Sequence, residues 1–193
     1  MKTENPVQIK STPTAFCYNP SQVRAIVLGA DPSNFSDNGE RKILTKVFGI
    51  GDGDPRYFQG ILKNLKEVGL GLEDIYVDNL IQDYLDVQTS KNKEWYAIAE
   101  ENIPFCLTRL DAIDKKRIIP VLITAEVILK NLLNNKSILK RPMDYYSDTR
   151  FIPIKPEDNK LFRNLIPFYR HQKYTLSQHN QYKAQLINIL GVR

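Results

Sequence analysis

Asp31, Asn79 and His171 each follow a short apolar run, and together they would supply a carboxylate, a paired donor and acceptor, and an imidazole ring. Asp31 has the clearest setting. Ala25 to Leu28 is a continuous apolar stretch rich in β-branched residues, which reads as a strand buried on both faces of a parallel sheet. Gly29 lets the chain turn and Pro32 forbids further ladder pairing, so Asp31 projects at the strand's carboxyl end, the edge where open α/β sheets bind ligands. Ser33 to Asp54 follows as a long loop carrying Gly39, Gly49, Gly51 and Gly53, with Phe35, Val47, Phe48 and Ile50 to order it. Each of the three polar residues also has a plainer reading: Asp31 as a turn cap, Asn79 as a turn residue, His171 as a surface histidine.

For the three to meet, the rest of the chain must build a parallel sheet. Asp54 and Pro55 suit the cap and first turn of a helix in which Phe58, Ile61, Leu62, Leu65 and Val68 recur at helical spacing until Gly69. Asp74 to Leu80 reads as a second strand with Asn79 near its end. Lys91 to Ile113 has a long helical pattern that Pro104 should kink or divide. Ile118 to Thr124 is a third strand and Ala125 to Leu133 its helix. Asn134 to Asp148 reads as a polar connector, Phe151 to Ile154 as at most a short edge segment because of Pro153, and Leu165 to His171 as a fourth strand. A last helix, about Gln178 to Leu190, closes at Gly191. This alternation predicts one α/β domain over 23–193 with a central parallel four-stranded sheet and helices on both faces, three layers in all. Residues 1–22, polar and carrying Pro6, Pro13 and Pro20, read as an extended arm.

The 193 residues suffice for one core, and a composition 42% apolar and 25% charged is that of a globular chain. The net charge of +5 suits a polyanionic partner without requiring one. Cys17 and Cys106 are far apart in apolar surroundings and are expected to be buried thiols in a reducing compartment. No signal-like segment opens the chain, and the apolar run from Ile118 to Leu129 is broken by Thr124 and Glu126, so the expectation is a cytoplasmic protein with no membrane association. Neither a phosphate-binding loop nor a dinucleotide fingerprint nor a nucleophile elbow is present. His171 and His179 are the only histidines, so no metal site is expected.

Gly29-Ala-Asp-Pro-Ser33, coming directly after Ile26-Val-Leu28, resembles the first motif of the uracil-DNA glycosylases, a strand followed by Gly-Gln-Asp-Pro-Tyr. Later parts are similar in order and spacing over roughly residues 23 to 191. Phe48 lies in the following loop, a helix comes next, Val77-Asp-Asn-Leu80 resembles the strand that ends in a base-reading asparagine, and His171 resembles the histidine of the second motif. Two departures stand out. Gln172 and Lys173 follow His171 where the family has Pro-Ser-Pro, and Ser33 replaces the tyrosine that excludes thymine's methyl group.

The resemblance implies hydrolysis of the N-glycosidic bond of uracil, or a related damaged base, in DNA, by a monomer needing no cofactor. Asp31 would orient a water and stabilise the cationic sugar, and His171 would stabilise the departing base. Asn79, Phe48 and Ala30 would hold the flipped base. Ser33, Arg170, Lys173 and Ser177 would contact DNA phosphates, with Leu176 entering the base stack. Two other readings stay open at this point: a non-catalytic DNA-binding or damage-sensing member of that fold, and an unrelated α/β enzyme acting on a small molecule.

Overall fold

The computed structural model describes residues 12–33, 42–52 and 56–191. Phe35, Gly39, Gly53 and the cap expected at Asp54 and Pro55 lie outside them, as does the start of the arm with Pro6. The core strand is Ala25–Gly29, which we label β2, and every one of its residues is buried. Burial on both faces follows from its apolar run, which has no polar side to turn to water. Beside it lies β3, Ile75–Asn79, parallel and paired from Ala25 with Ile75 through to Gly29 with Asn79. On its other side is β4, Val121–Ile123, and beyond that β5, Leu165–Pro167, both parallel to it.

The sheet is five-stranded and mixed, not four-stranded and parallel. Its extra strand is β1, Phe16–Cys17, which pairs antiparallel with β3, Phe16 opposite Val77 and Cys17 opposite Tyr76. The supposed arm thus covers an edge that would otherwise present unpaired backbone groups. Two residues between Pro13 and Pro20 are too few to leave a periodic signal. The order is β1-β3-β2-β4-β5. From β2 the chain leaves toward β3 and from β4 it leaves the opposite way toward β5. The loops at the carboxyl ends of these two neighbours therefore part, which opens the crevice where such sheets bind ligands.

The helices are α1, Arg56–Glu67, α2, Trp95–Ile113, α3, Glu126–Leu132, α4, Pro142–Ser147, and α5, Asn180–Leu190. They pack in two sets, α2 with α3 and α4 with α5, while α1 rests on the segment leading into α5. With the central strands buried on both faces, this is an α/β architecture compatible with three layers. Pro104 does not divide α2. Pro104 and Glu100, whose carbonyl its missing N–H would have met, are both exposed, so water can satisfy the freed oxygen. The connector from Asn134 to Asp148 is not merely polar, because α4 within it buries Tyr145 and Tyr146. Gly191 ends α5 in the left-handed conformation, φ 60°, as its position predicted.

Both cysteines are free, Cys106 buried and Cys17 half-buried. Among the described residues no helix is long and apolar enough to cross a membrane.

Candidate functional site

The pairing of Gly29 with Asn79 brings the ends of β2 and β3 together, and the space above Gly29 is filled from two directions. A Cβ at Gly29 would run into Asn79 Oδ1 and come within 2.7 Å of Cζ and 2.9 Å of Cε2 of Phe48. The absent side chain is thus what allows the amide and the ring to lie over the strand end. Phe48 sits at φ 60°, ψ 11°, a left-handed conformation that costs a non-glycine residue about 1–2 kcal/mol. Its turn, Val47–Gly49, is pinned by a bridge from Lys46 to Thr14 and by the buried Val47, and its ring packs on Phe58 at 5.6 Å. Strain of this kind, enforced by surrounding structure, clusters at ligand sites.

Asn79 is 3% exposed, yet its side-chain amide makes no hydrogen bond among the described residues. Its backbone is held firmly instead. The Asn79 N–H donates to Asp78 Oδ1 at 2.8 Å, and its carbonyl accepts from Arg109 Nη2 at 2.8 Å. Arg109 Nε also donates to Asp78 Oδ2 at 2.7 Å, and Tyr76 donates its hydroxyl to the same oxygen at 3.2 Å. Burial first, then the Asp78 charge, push the Tyr76 phenol well above its ordinary range, so it stays a donor. A largely buried ion pair thus fixes the backbone of Asn79, and neither Asp78 nor Arg109 was singled out in the sequence.

Asp31 is gripped as well. Its Oδ1 accepts from Ser33 N at 2.9 Å, and its Oδ2 accepts from Thr89 Oγ1 at 2.7 Å and from Trp95 Nε1 at 2.8 Å. An ionised carboxylate offers about four acceptor positions, so roughly one remains for a ligand or water. Trp95, the chain's single tryptophan and the first residue of α2, is 1% exposed. Ser33 accepts from Leu85 N at 2.6 Å, tying the loop after β2 to the loop after β3.

These residues line one cavity of about 220 Å³, walled by Ala30, Asp31, Ser33, Phe48, Asn79, Thr89, Thr124 and Arg170. It falls below the roughly 300–1,000 Å³ of sites for drug-sized ligands and suits a single small ring. Of the residues singled out in the sequence, Asp31, Asn79, Phe48, Ala30, Ser33 and Arg170 meet here. His171 does not line this cavity. β5 stops at Pro167, well short of the expected end at His171, and it is Arg170 that turns toward the cavity. His171 is exposed, its Nδ1 accepts from Lys173 N at 3.3 Å, and it lines a neighbouring cavity of about 190 Å³.

Leu176 cannot serve as a wedge where it lies: it is 0% exposed, packed in the core, with its N–H donated to Asn64 Oδ1 at 3.0 Å. Lys173, exposed, holds its Nζ 4.9 Å from the Tyr174 ring, and Ser177 is exposed nearby. Among the described residues no group of three or more His, Cys, Asp or Glu side chains is arranged to hold a metal ion. No protein-family model matches the chain, and no curated protein matches it. The site must be read from its own geometry.

Proposed function

We propose that the cavity receives a single flipped pyrimidine and that the chain is a DNA glycosylase, hydrolysing the N-glycosidic bond of uracil or a related damaged base in DNA. The observation that carries this reading is the Asn79 amide, which lines the cavity beside the Phe48 ring without a hydrogen-bond partner among the described residues, because a donor and acceptor side by side fit a pyrimidine edge while the ring stacks on its face. Breaking that bond leaves positive charge on the sugar and negative charge on the base. Asp31, fixed by Thr89 and Trp95, stabilises the sugar and has one acceptor position left to orient the attacking water. The leaving-group role that the resemblance gave to His171 falls in this reading to Arg170, the cation that lines the cavity. The water supplies the hydroxyl that ends on the sugar, and its proton goes to the departing base, so no cofactor enters.

The placement of His171 and Leu176 favours a second reading, a DNA-binding module of the same build that does not cleave. The two separate in one assay. Labelled single- and double-stranded oligonucleotides carrying one uracil are incubated with the protein and then treated with alkali. A cleavage band that is lost in Asp31→Asn supports the glycosylase, and binding in low salt with no band at any enzyme concentration supports the module.

A further inference from the structure

A base drawn out of a duplex leaves a gap in the stack, and an apolar side chain inserted from the protein holds such a gap open. Leu176 is wholly buried and does not reach it, so the wedge has to come from another element. Two exposed apolar side chains belong to residues whose neighbours in the chain line the main cavity: Ile43, 43% exposed, next to Leu44, and Val87, 45% exposed, next to Gln88. The other large apolar side chains that stand exposed among the described residues adjoin no residue of that wall.

Val87 is the better held of the two. Two residues before it, Leu85 donates its N–H to Ser33 Oγ at 2.6 Å, and two residues after it, Thr89 donates its hydroxyl to Asp31 Oδ2 at 2.7 Å. Both anchors lie in the segment after β2 that carries the carboxylate. The span 86–88 between them is therefore a tip fixed relative to Asp31, and all three of its residues are exposed. Just beyond it the turn Thr89–Lys91 is closed by the Lys91 N–H, donated to the Gln88 carbonyl at 2.8 Å. Beside Ile43, by contrast, Leu44 donates its N–H to the Tyr84 hydroxyl at 2.8 Å, which ties that segment to the loop of Val87 and not to the carboxylate. Val87 is also branched at Cβ, so few rotamers compete with the one that enters a stack. Charge selects what meets the tip. The Asp86 carboxylate next to Val87 repels a phosphate, whereas stacked bases carry no net charge, and Lys91 and Lys93, both exposed, stand farther along the loop to hold the strand's phosphates.

We infer that Val87 is the wedge: its side chain takes the place of the flipped base in the stack, with Lys91 and Lys93 on the backbone of the strand beside it. For the base in the cavity this rests on the base-excision reading. Val87 then acts where a base must be unstacked and unpaired, in duplex DNA.

The test follows flipping apart from cleavage. A duplex with one uracil and a 2-aminopurine beside it, dim while stacked, is titrated with the Asp31→Asn full-length protein. Binding should brighten the probe, and Asp31→Asn with Val87→Ala should reach about a third of that rise or less at saturation, with Val87→Leu in the same background restoring it. Val87→Ala removes two exposed methyl groups, so its folding is not at issue. Ile43→Ala in that background should keep most of the rise. No brightening with the Asp31→Asn protein, a full rise with Val87→Ala, or a loss with Ile43→Ala in its stead overturns the inference. Uracil release by the wild-type protein from a single-stranded oligonucleotide tests the base-excision reading separately: release without brightening in the duplex removes the wedge alone, and brightening that depends on Val87 without release removes the chemistry and leaves the wedge standing.

Discussion

Gly29 has no side chain because two other side chains occupy its place. In Gly29→Ala the new methyl meets Asn79 Oδ1 and the Phe48 ring, and Phe48, already left-handed at φ 60°, has little freedom to retreat. Loss of about 1–3 kcal/mol of stability in urea unfolding is expected, as for other overpacked positions, together with loss of affinity for uracil-containing DNA. Removing the amide as well, in Gly29→Ala with Asn79→Ala, should recover part of the stability and none of the affinity. A second contrast lies between two neighbours. Arg170→Ala should slow single-turnover excision by about tenfold or more, whereas His171→Ala should change it less than threefold, a difference read from the two rates side by side. Asp31 and Asn79 could be found in the sequence because each ends a run of apolar residues, and a strand end fixes where its next side chains go. Thr89, Trp95 and Arg109 could not, since they reach the site from a loop and a helix whose approach only the packed sheet determines.

Between elements, a buried cluster of charges joins the end of α2 to the chain entering β5. Arg163, wholly buried, donates to Asp114 Oδ2 at 2.7 Å and to Asp111 Oδ1 at 2.9 Å, and Arg117 holds Asp111 from outside at 2.7 Å. Replacing Arg163 with methionine leaves Asp114 buried without its cation, and a loss of about 3–5 kcal/mol in denaturant unfolding is expected. The hydrogen bond from Arg117, reinforced by Arg163, holds the Asp111 carboxyl below its usual range. A depressed folded-state value stabilises above the unfolded value of about 4, so this contribution is present at neutral pH and is lost as pH falls below about 4. Thermal unfolding followed from pH 6 to pH 3 should show that loss, and show less of it in Arg117→Gln. On the inner face of the same helix, burial pushes the Cys106 thiol up to about 12, so a thiol reagent at pH 8 should label it only after unfolding. The strands β2 and β3 and the helix α5 announce themselves by long apolar runs or by spacing with a terminal glycine. β1 and α4 do not, being too short for a period and, in α4, built on tyrosines whose burial depends on the rings stacked against them, Tyr146 on Tyr182 at 4.3 Å.

At the scale of the whole molecule, the doubly wound order of the sheet does what no single motif does: it parts the loops of β2 and β4 and leaves Asp31, Asn79 and Phe48 around one small cavity. A net charge of +5 suits a polyanion, and if the proposed function holds, affinity for DNA should fall steeply as salt rises. The alternation of apolar runs was enough to give this architecture in outline, and the roles proposed for the site residues come from the family resemblance. What it could not give was the direction of the chain after Pro167, which sets Arg170 rather than His171 at the cavity. The central claim is that a carboxylate held by Thr89 and Trp95 drives cleavage of the bond to a base held by Asn79. Single-turnover release of uracil from a single-stranded oligonucleotide, with binding measured on the same samples, tests it most directly. Asp31→Asn should slow release by about a hundredfold to a thousandfold while DNA affinity stays within threefold of wild type. Release at the wild-type rate by Asp31→Asn would contradict it.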